Sequence, residues 1–172
     1  MEDVVLVDVN DNLLGTMDKL EAHKKGELHR AFSVFIFNEK NELLLQQRAF
    51  EKYHSGGLWT NTCCSHPKAS ENVLEACQRR LMEEMGFSTE LDFVTTFIYK
   101  ANLDHDLIEH ELDHVYIGKY NESPKPNLNE VNAWKYIELN ELEKDMKLFP
   151  ENYTVWFKII YAKVKKHLLA TK

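Results

Sequence analysis

Between Ser70 and Gly86 the residues Val73, Leu74, Cys77, Leu81 and Met85 recur at about the 3.6-residue helical period, so one stripe of a helix is apolar. Ser70 is positioned to cap that helix and Gly86 to end it. The flanking sequence has a different texture. Residues 4–9 and 31–37 are rich in β-branched and aromatic side chains, and Asn38-Glu39-Lys40-Asn41 supplies turn chemistry before Leu43-Leu44-Leu45, which reads as a hairpin. Further strands are expected at 93–99, around 111–119 and at 133–137, followed by a short helix over 140–146, with a loop at 123–127. Pro150 separates the short helix from a terminal amphipathic one that carries Trp156, Ile159, Ile160, Val164 and Leu168 on one side. Strands interleaved with a few helices predict an α/β fold, a sandwich with a mixed sheet, and not the regular alternation of a doubly wound one.

The 172 residues, 44% hydrophobic and 28% charged, fit a single domain over 1–172. No stretch approaches the roughly 20 apolar residues that cross a bilayer, and Met1-Glu2-Asp3 is no basic leader, so a cytoplasmic protein without membrane partners is expected. Three cysteines, with Cys63 and Cys64 adjacent, fit reduced thiols better than a disulfide framework. A formal charge of -7 argues against nucleic acid as a partner. An anionic substrate would need a local basic pocket, for which Lys19, Arg48, Lys52, Arg79 and Arg80 are candidates.

His23, His29, His66, Glu109 and Glu111 form a sparse set of nitrogen and oxygen ligands. On a strand, Glu109 and Glu111 share a face, where two like charges repel. A bound cation relieves that repulsion, and imidazoles with carboxylates suit a transition metal of expanded coordination.

The pattern Ser65-x5-Glu71-x7-Arg79-Arg80-Leu81-x-Glu83-Glu84-x-Gly86-Phe87 resembles the Nudix box, a loop and helix that position carboxylates for a divalent metal bound to diphosphate. Arg80 and Glu84 lie one turn apart and share a helix face, and a lone Glu84 suits Mg2+, which keeps several waters and combines few carboxylates with substrate oxygens. Two positions depart from the hydrolase pattern. Ser65 replaces the initial Gly, and Arg80 replaces the Glu that follows Arg79, the residue with which hydrolases hold the metal that drives water attack. A Nudix pyrophosphohydrolase is therefore the weaker alternative.

Thr60-Asn61-Thr62-Cys63-Cys64-Ser65-His66-Pro67 resembles the cysteine motif of the type 1 isopentenyl diphosphate isomerases, a Nudix branch with a basic residue at the position of Arg80. The likeness runs through Lys19, Glu21-Ala22-His23, Leu28-His29-Arg30-Ala31-Phe32, Arg48, Lys52, Phe97-Ile98-Tyr99-Lys100-Ala101, Glu109-His110-Glu111 and Trp156. It implies a Nudix-like α/β/α sandwich acting on a small isoprenoid diphosphate. The implied reaction is an allylic proton shift with Cys64 and Glu111 as acid and base, in an order the sequence leaves open; Cys63 is the competing thiol. Cys64, with an ordinary thiol pKa of about 8.5, is expected to be tuned by nearby His or metal charge. The resemblance also implies Tyr99 as partner of the acid and Trp156 as the aromatic residue facing a carbocation. Lys19, Arg48, Lys52 and Arg80 then surround the diphosphate, and Glu84 with the Cys64 carbonyl holds Mg2+. His23, His29, His66, Glu109 and Glu111 hold a second divalent ion, Mn2+, Zn2+ or Mg2+. A monomer or weak homodimer is expected.

Overall fold

The computed structural model describes residues 2–170. Nine strands form one mixed sheet: β1 Asp3–Val7, β2 Leu13–Asp18, β3 His29–Phe37, β4 Leu43–Arg48, β5 Trp59–Thr60, β6 Cys63–Ser65, β7 Leu91–Asn102, β8 Ile108–Lys119 and β9 Val131–Ile137. The helices are α1 Lys19–Lys25, α2 Val73–Met85, α3 Leu139–Leu148 and α4 Val155–Ala170.

β3 organises the sheet. It runs parallel to β8 along its whole length and antiparallel to β6, with β7 outside β8 and β9 and β5 flanking β4. Every residue from Ala31 to Phe37 is buried because both faces of the strand are covered, which explains a continuous apolar run in place of alternation. Phe32, Val34 and Ile36 pack with Ala76, Cys77, Leu81 and Met85 of α2. Phe35 and Phe37 join Leu139 and Leu142 of α3 and Trp156, Phe157, Ile160 and Val164 of α4. The α/β/α sandwich is therefore borne out, with the period-2 side-chain alternation of β3 feeding one core on each side.

The expected elements are present with shifted ends. The cap of α2 is a correction: Asn72, not Ser70, takes that place, its side chain accepting from the Leu74 N–H at 2.9 Å. Ser70 lies in a turn two residues too early to reach the free amides of the first helical turn. Gly86 does end the helix, at φ 75°, and a Cβ there would lie 2.2 Å from the Lys125 carbonyl oxygen. That contact arises because residues 123–127 fold over the helix end, with Lys125 N donating to Met85 O and Asn127 N to Glu84 O.

The sequence reading did not anticipate β2, α1, β5 or β6. α1 has seven residues and no apolar stripe; it is fixed by its ends, with the Asp18 side chain accepting from Glu21 N and Gly26 in the left-handed region. β5 and β6 are two and three residues long, too short for any periodic signal. Among the described residues no helix is long and apolar enough to cross a membrane.

Candidate active site

One cavity is lined by residues from α1, β4, the loop after it, β6, α2, β7, β8 and α4. It brings together Lys19, His23, Arg48, Lys52, Cys64, His66, Arg80, Glu84, Tyr99, Glu109, Glu111 and Trp156. Arg79, a candidate by charge alone, instead makes a two-pronged pair with Glu71 at 2.6 and 2.8 Å.

Backbone periodicity explains most of this convergence. Lys19 and His23 are one helical turn apart on α1 and so share its inner face. Glu109 and Glu111 alternate onto one face of β8. In the sheet register Glu111 stands opposite His29 of β3 on one side and Tyr99 of β7 on the other, so strand pairing delivers two of its partners. β6 pairs Cys64 with Ser33 and Cys63 with Val34, and alternation sends the two thiols opposite ways. Cys63 is fully buried in the core under α2, while Cys64 is half-buried and lines the cavity.

Ligand atoms of His23, His29, His66 and Glu111 lie within 4.8 Å of one another. Glu109 stands outside that tight set, with its Oε2 3.3 Å from His23 Nε2. The donor chemistry fits a divalent ion. Nδ1 of His23 donates to the Lys19 carbonyl at 2.6 Å and Nδ1 of His29 to the Glu27 carbonyl at 2.8 Å. Those bonds place a proton on Nδ1 of each ring and turn Nε2 toward the carboxylates. Nε2 of both rings, Nδ1 of His66 and Oε2 of Glu109 are buried without a hydrogen-bond partner, a cost that a cation or proton among them would remove.

Proton affinities within the cluster diverge. Burial pushes the Glu111 carboxyl up, but the His29 imidazole 3.5 Å away and the His66 imidazole hydrogen-bonded at 2.9 Å outweigh it and hold it well below the usual carboxylate range. Glu109 is pushed up to about 7, by burial and then by the neighbouring Glu111 charge. Burial lowers His66 to about 4 against the pull of Glu111. Burial also raises the Cys64 thiol to about 12, with the Arg48 charge opposing. The charge that opposes burial at this thiol is that of Arg48 and not the expected histidine's, and desolvation outweighs it.

Glu111 and Cys64 each receive a donor. Tyr99 Oη donates to Glu111 Oε2 at 2.6 Å, and Trp156 Nε1–H donates to Cys64 Sγ at 3.2 Å. Trp156 is both core and cavity wall, and the Arg48 guanidinium carbon lies 5.1 Å from its ring centroid. Arg80 Nη2 donates to Glu84 Oε1 at 2.7 Å, and Gln46 Nε2 donates to Glu84 Oε2 at 2.8 Å. A carboxylate has about four acceptor sites, so Glu84 retains capacity for a metal ion.

Gln46, Tyr53, His54, Ser65 and Glu130 also line the cavity and were not singled out as site residues from sequence. Gln46 had a usable signal, lying two residues before Arg48 and thus on the same face of β4. His54 belongs to the tight loop after β4, where Gly57 takes φ 77° and its N–H donates to Arg48 O. Its imidazole is lowered to about 3, first by burial and then by Arg48. Glu130 lies just before β9 and had no local signal at all.

The NUDIX domain family model matches residues 27–157. A curated isopentenyl-diphosphate Delta-isomerase of Pectobacterium atrosepticum is 51% identical over 172 residues, spanning 100% of this chain and 96% of the relative. One of Serratia proteamaculans is 51% identical over 156 residues, 91% of this chain and 87% of the relative. Among solved structures, a MutT protein from Methanosarcina mazei Go1 superposes with a TM-score of 0.65 at 18% identity, over 81% of this chain and 94% of that one, a likeness of fold.

Proposed function

The chain belongs to the NUDIX family and, within it, to the isopentenyl-diphosphate Delta-isomerases, and from that premise we propose how its side chains move the proton. The reaction converts isopentenyl diphosphate to dimethylallyl diphosphate reversibly. A proton is added to the terminal methylene and another is removed across the new double bond, a net 1,3 shift.

Such a shift needs one group that gives a proton and one that takes one, and Cys64 and Glu111 form that pair. The observation that carries the reading is that both line one cavity and that each accepts a hydrogen bond from a buried side chain, Trp156 or Tyr99. A donor aimed at each group stabilises the anion left when its proton departs. With the thiol raised and the carboxyl depressed, the resting pair carries a single proton, which is the number the shift requires. Tyr99 holds the Glu111 carboxylate in place, and the Trp156 ring faces the tertiary cation that forms between them. A desolvated cation over an indole gains about 2 kcal/mol or more, roughly thirtyfold in rate.

Lys19, Arg48, Lys52 and Arg80 take the diphosphate, and Glu84 with the Cys64 carbonyl holds its Mg2+. His23, His29, His66, Glu109 and Glu111 hold a second divalent ion, Mn2+, Zn2+ or Mg2+, with imidazole favouring a transition metal. When bound, that ion neutralises the paired carboxylates and shifts the proton affinity of Glu111. The cytoplasm is the proposed compartment, where Cys63, Cys64 and Cys77, all unpaired, remain reduced. A monomer or weak homodimer is the proposed assembly.

The pyrophosphohydrolase alternative draws no support from this site, where Arg80 bonds Glu84 and occupies the place of the hydrolase Glu. Incubation with isopentenyl diphosphate and Mg2+ in heavy water, followed by proton resonance and a coupled phosphate assay, tests the reading. Deuterated dimethylallyl diphosphate without phosphate release is expected; phosphate release without isomerisation would overturn it.

A further inference from the structure

Counter-charges are distributed unevenly around the cavity cations. Lys19 Nζ lies 3.1 Å from Glu2 Oε2, and Arg80 Nη2 lies 2.7 Å from Glu84 Oε1. Lys52 is bonded to Glu130 Oε2, and the same oxygen lies 3.5 Å from Arg80 Nη2. Arg48 has no carboxylate partner among the described residues, and its buried Nε has no hydrogen-bond partner. One carboxylate oxygen thus serves two cations on the cavity wall.

The Glu130 side chain is not what secures its loop. Its backbone is already fixed, with Ala49 N donating to Glu130 O and Glu130 N donating to Asn127 O, both at 2.9 Å. The carboxylate lines the cavity with its side chain 25% exposed, in reach of an entering anion.

We propose that Glu130 is a built-in counter-anion of the diphosphate subsite, whose carboxylate holds Lys52 and Arg80 as a pair and yields them to phosphate oxygens. This rests on the reading that Lys52 and Arg80 bind the diphosphate. In the empty cavity the carboxylate keeps two like charges together that would otherwise repel. On binding, the more highly charged diphosphate wins the cations, but the cost of breaking the pairs is subtracted from affinity. Substrate and product carry the same diphosphate, so this moderation weakens both equally and speeds release without touching the proton-transfer groups. The Glu130 carboxyl is depressed in accord with this: burial raises it, and the bond to and charge of Lys52, then Arg80, outweigh burial.

The sign of one measurement separates this role from a scaffolding one. Titration calorimetry of the Mg2+-loaded full chain with inorganic pyrophosphate at fixed ionic strength should show tighter binding in Glu130→Gln, by about three- to tenfold. KM for isopentenyl diphosphate should fall in parallel. A scaffolding side chain predicts the opposite, because a misplaced Lys52 weakens binding. Should Glu130→Gln fail to fold, Glu130→Asp keeps the charge but withdraws it by one methylene, and a smaller gain is expected. In a Lys52→Met background the gain from Glu130→Gln should shrink. Weaker or unchanged pyrophosphate binding in the Glu130 variants, alongside weaker binding in Lys52→Met, overturns the counter-anion role alone. If Lys52→Met itself leaves pyrophosphate affinity untouched, the diphosphate assignment of these cations fails and the inference with it.

Discussion

Replacing Tyr99 with Phe isolates one hydrogen bond at the centre of the proposed chemistry. The ring packs in the core beneath α4 and is 7% exposed, and Phe fills the same volume, so no cavity opens. What disappears is the 2.6 Å bond from Oη to Glu111 Oε2, itself a buried oxygen of a residue 7% exposed. A hydrogen bond to a charged acceptor contributes about 1.5–3 kcal/mol. If Tyr99 supports the carboxylate throughout turnover, kcat should fall about 10- to 100-fold, since each 1.36 kcal/mol is about a factor of ten. KM should stay within about twofold, because Tyr99 lies among the proton-transfer groups and away from the cations assigned to the diphosphate. The assay is initial-rate formation of dimethylallyl diphosphate, with thermal unfolding of both proteins as control. A Tyr99→Phe protein that melts like wild type and keeps kcat within twofold would show that the bond contributes to neither orientation nor charge stabilisation.

The remaining expectations concern the thiols, the ligand cluster and pH. Cys64→Ala should abolish most turnover and leave a folded protein, whereas Cys63→Ala should keep turnover and lose about 1 kcal/mol of stability, the scale of a small core truncation; the reverse pattern in paired activity and melting assays would make Cys63 the working thiol. His23→Ala and His66→Ala should each lower the metal-to-protein ratio in elemental analysis, and an unchanged ratio rejects the ligand set. In chelator-treated protein, Glu109 has a folded pKa of about 7 against an ordinary 4.5, a raised acid that stays protonated in the folded state. Its contribution therefore falls as pH rises from about 4.5 to about 7, by about 3 kcal/mol at most, while the depressed Glu111 is already ionised across that window. The difference in melting temperature between Glu109→Gln and wild type should shift in favour of the variant as pH rises through that window, the opposite contributions of the depressed His54 and His66 cancelling in the difference; a difference that does not change with pH would contradict the burial argument.

The elements that position the site were legible in the sequence wherever periodicity is long. α2 announced itself through its apolar stripe and Gly86, β3 through its uncharged run, and α4 through one amphipathic face, because a residue repeated at 3.6 or 2 leaves a pattern in the chain itself. α1 left no such trace, although it carries Lys19 and His23. Seven residues fixed by an Asp18 cap and a left-handed Gly26 are local hydrogen-bonding events, not a periodicity.

The residue types and their order were fixed by the chain alone: a thiol before a histidine, carboxylates two apart, a basic residue in place of the hydrolase Glu, and enough matching motifs to imply the family. Which atoms meet was decided only by folding. Register across β3, β7 and β8 sets His29 and Tyr99 on either side of Glu111, and the alternation of β6 turns Cys64 rather than Cys63 to the cavity. Burial, which no single residue specifies, raises the thiol and Glu109, the histidines brought to Glu111 pull that carboxyl the other way, and packing leaves Glu130 in reach of both Lys52 and Arg80 across 78 and 50 residues of sequence. Contacts over such separations depend on the whole sheet and its covering helices, so they exist only once those layers have packed.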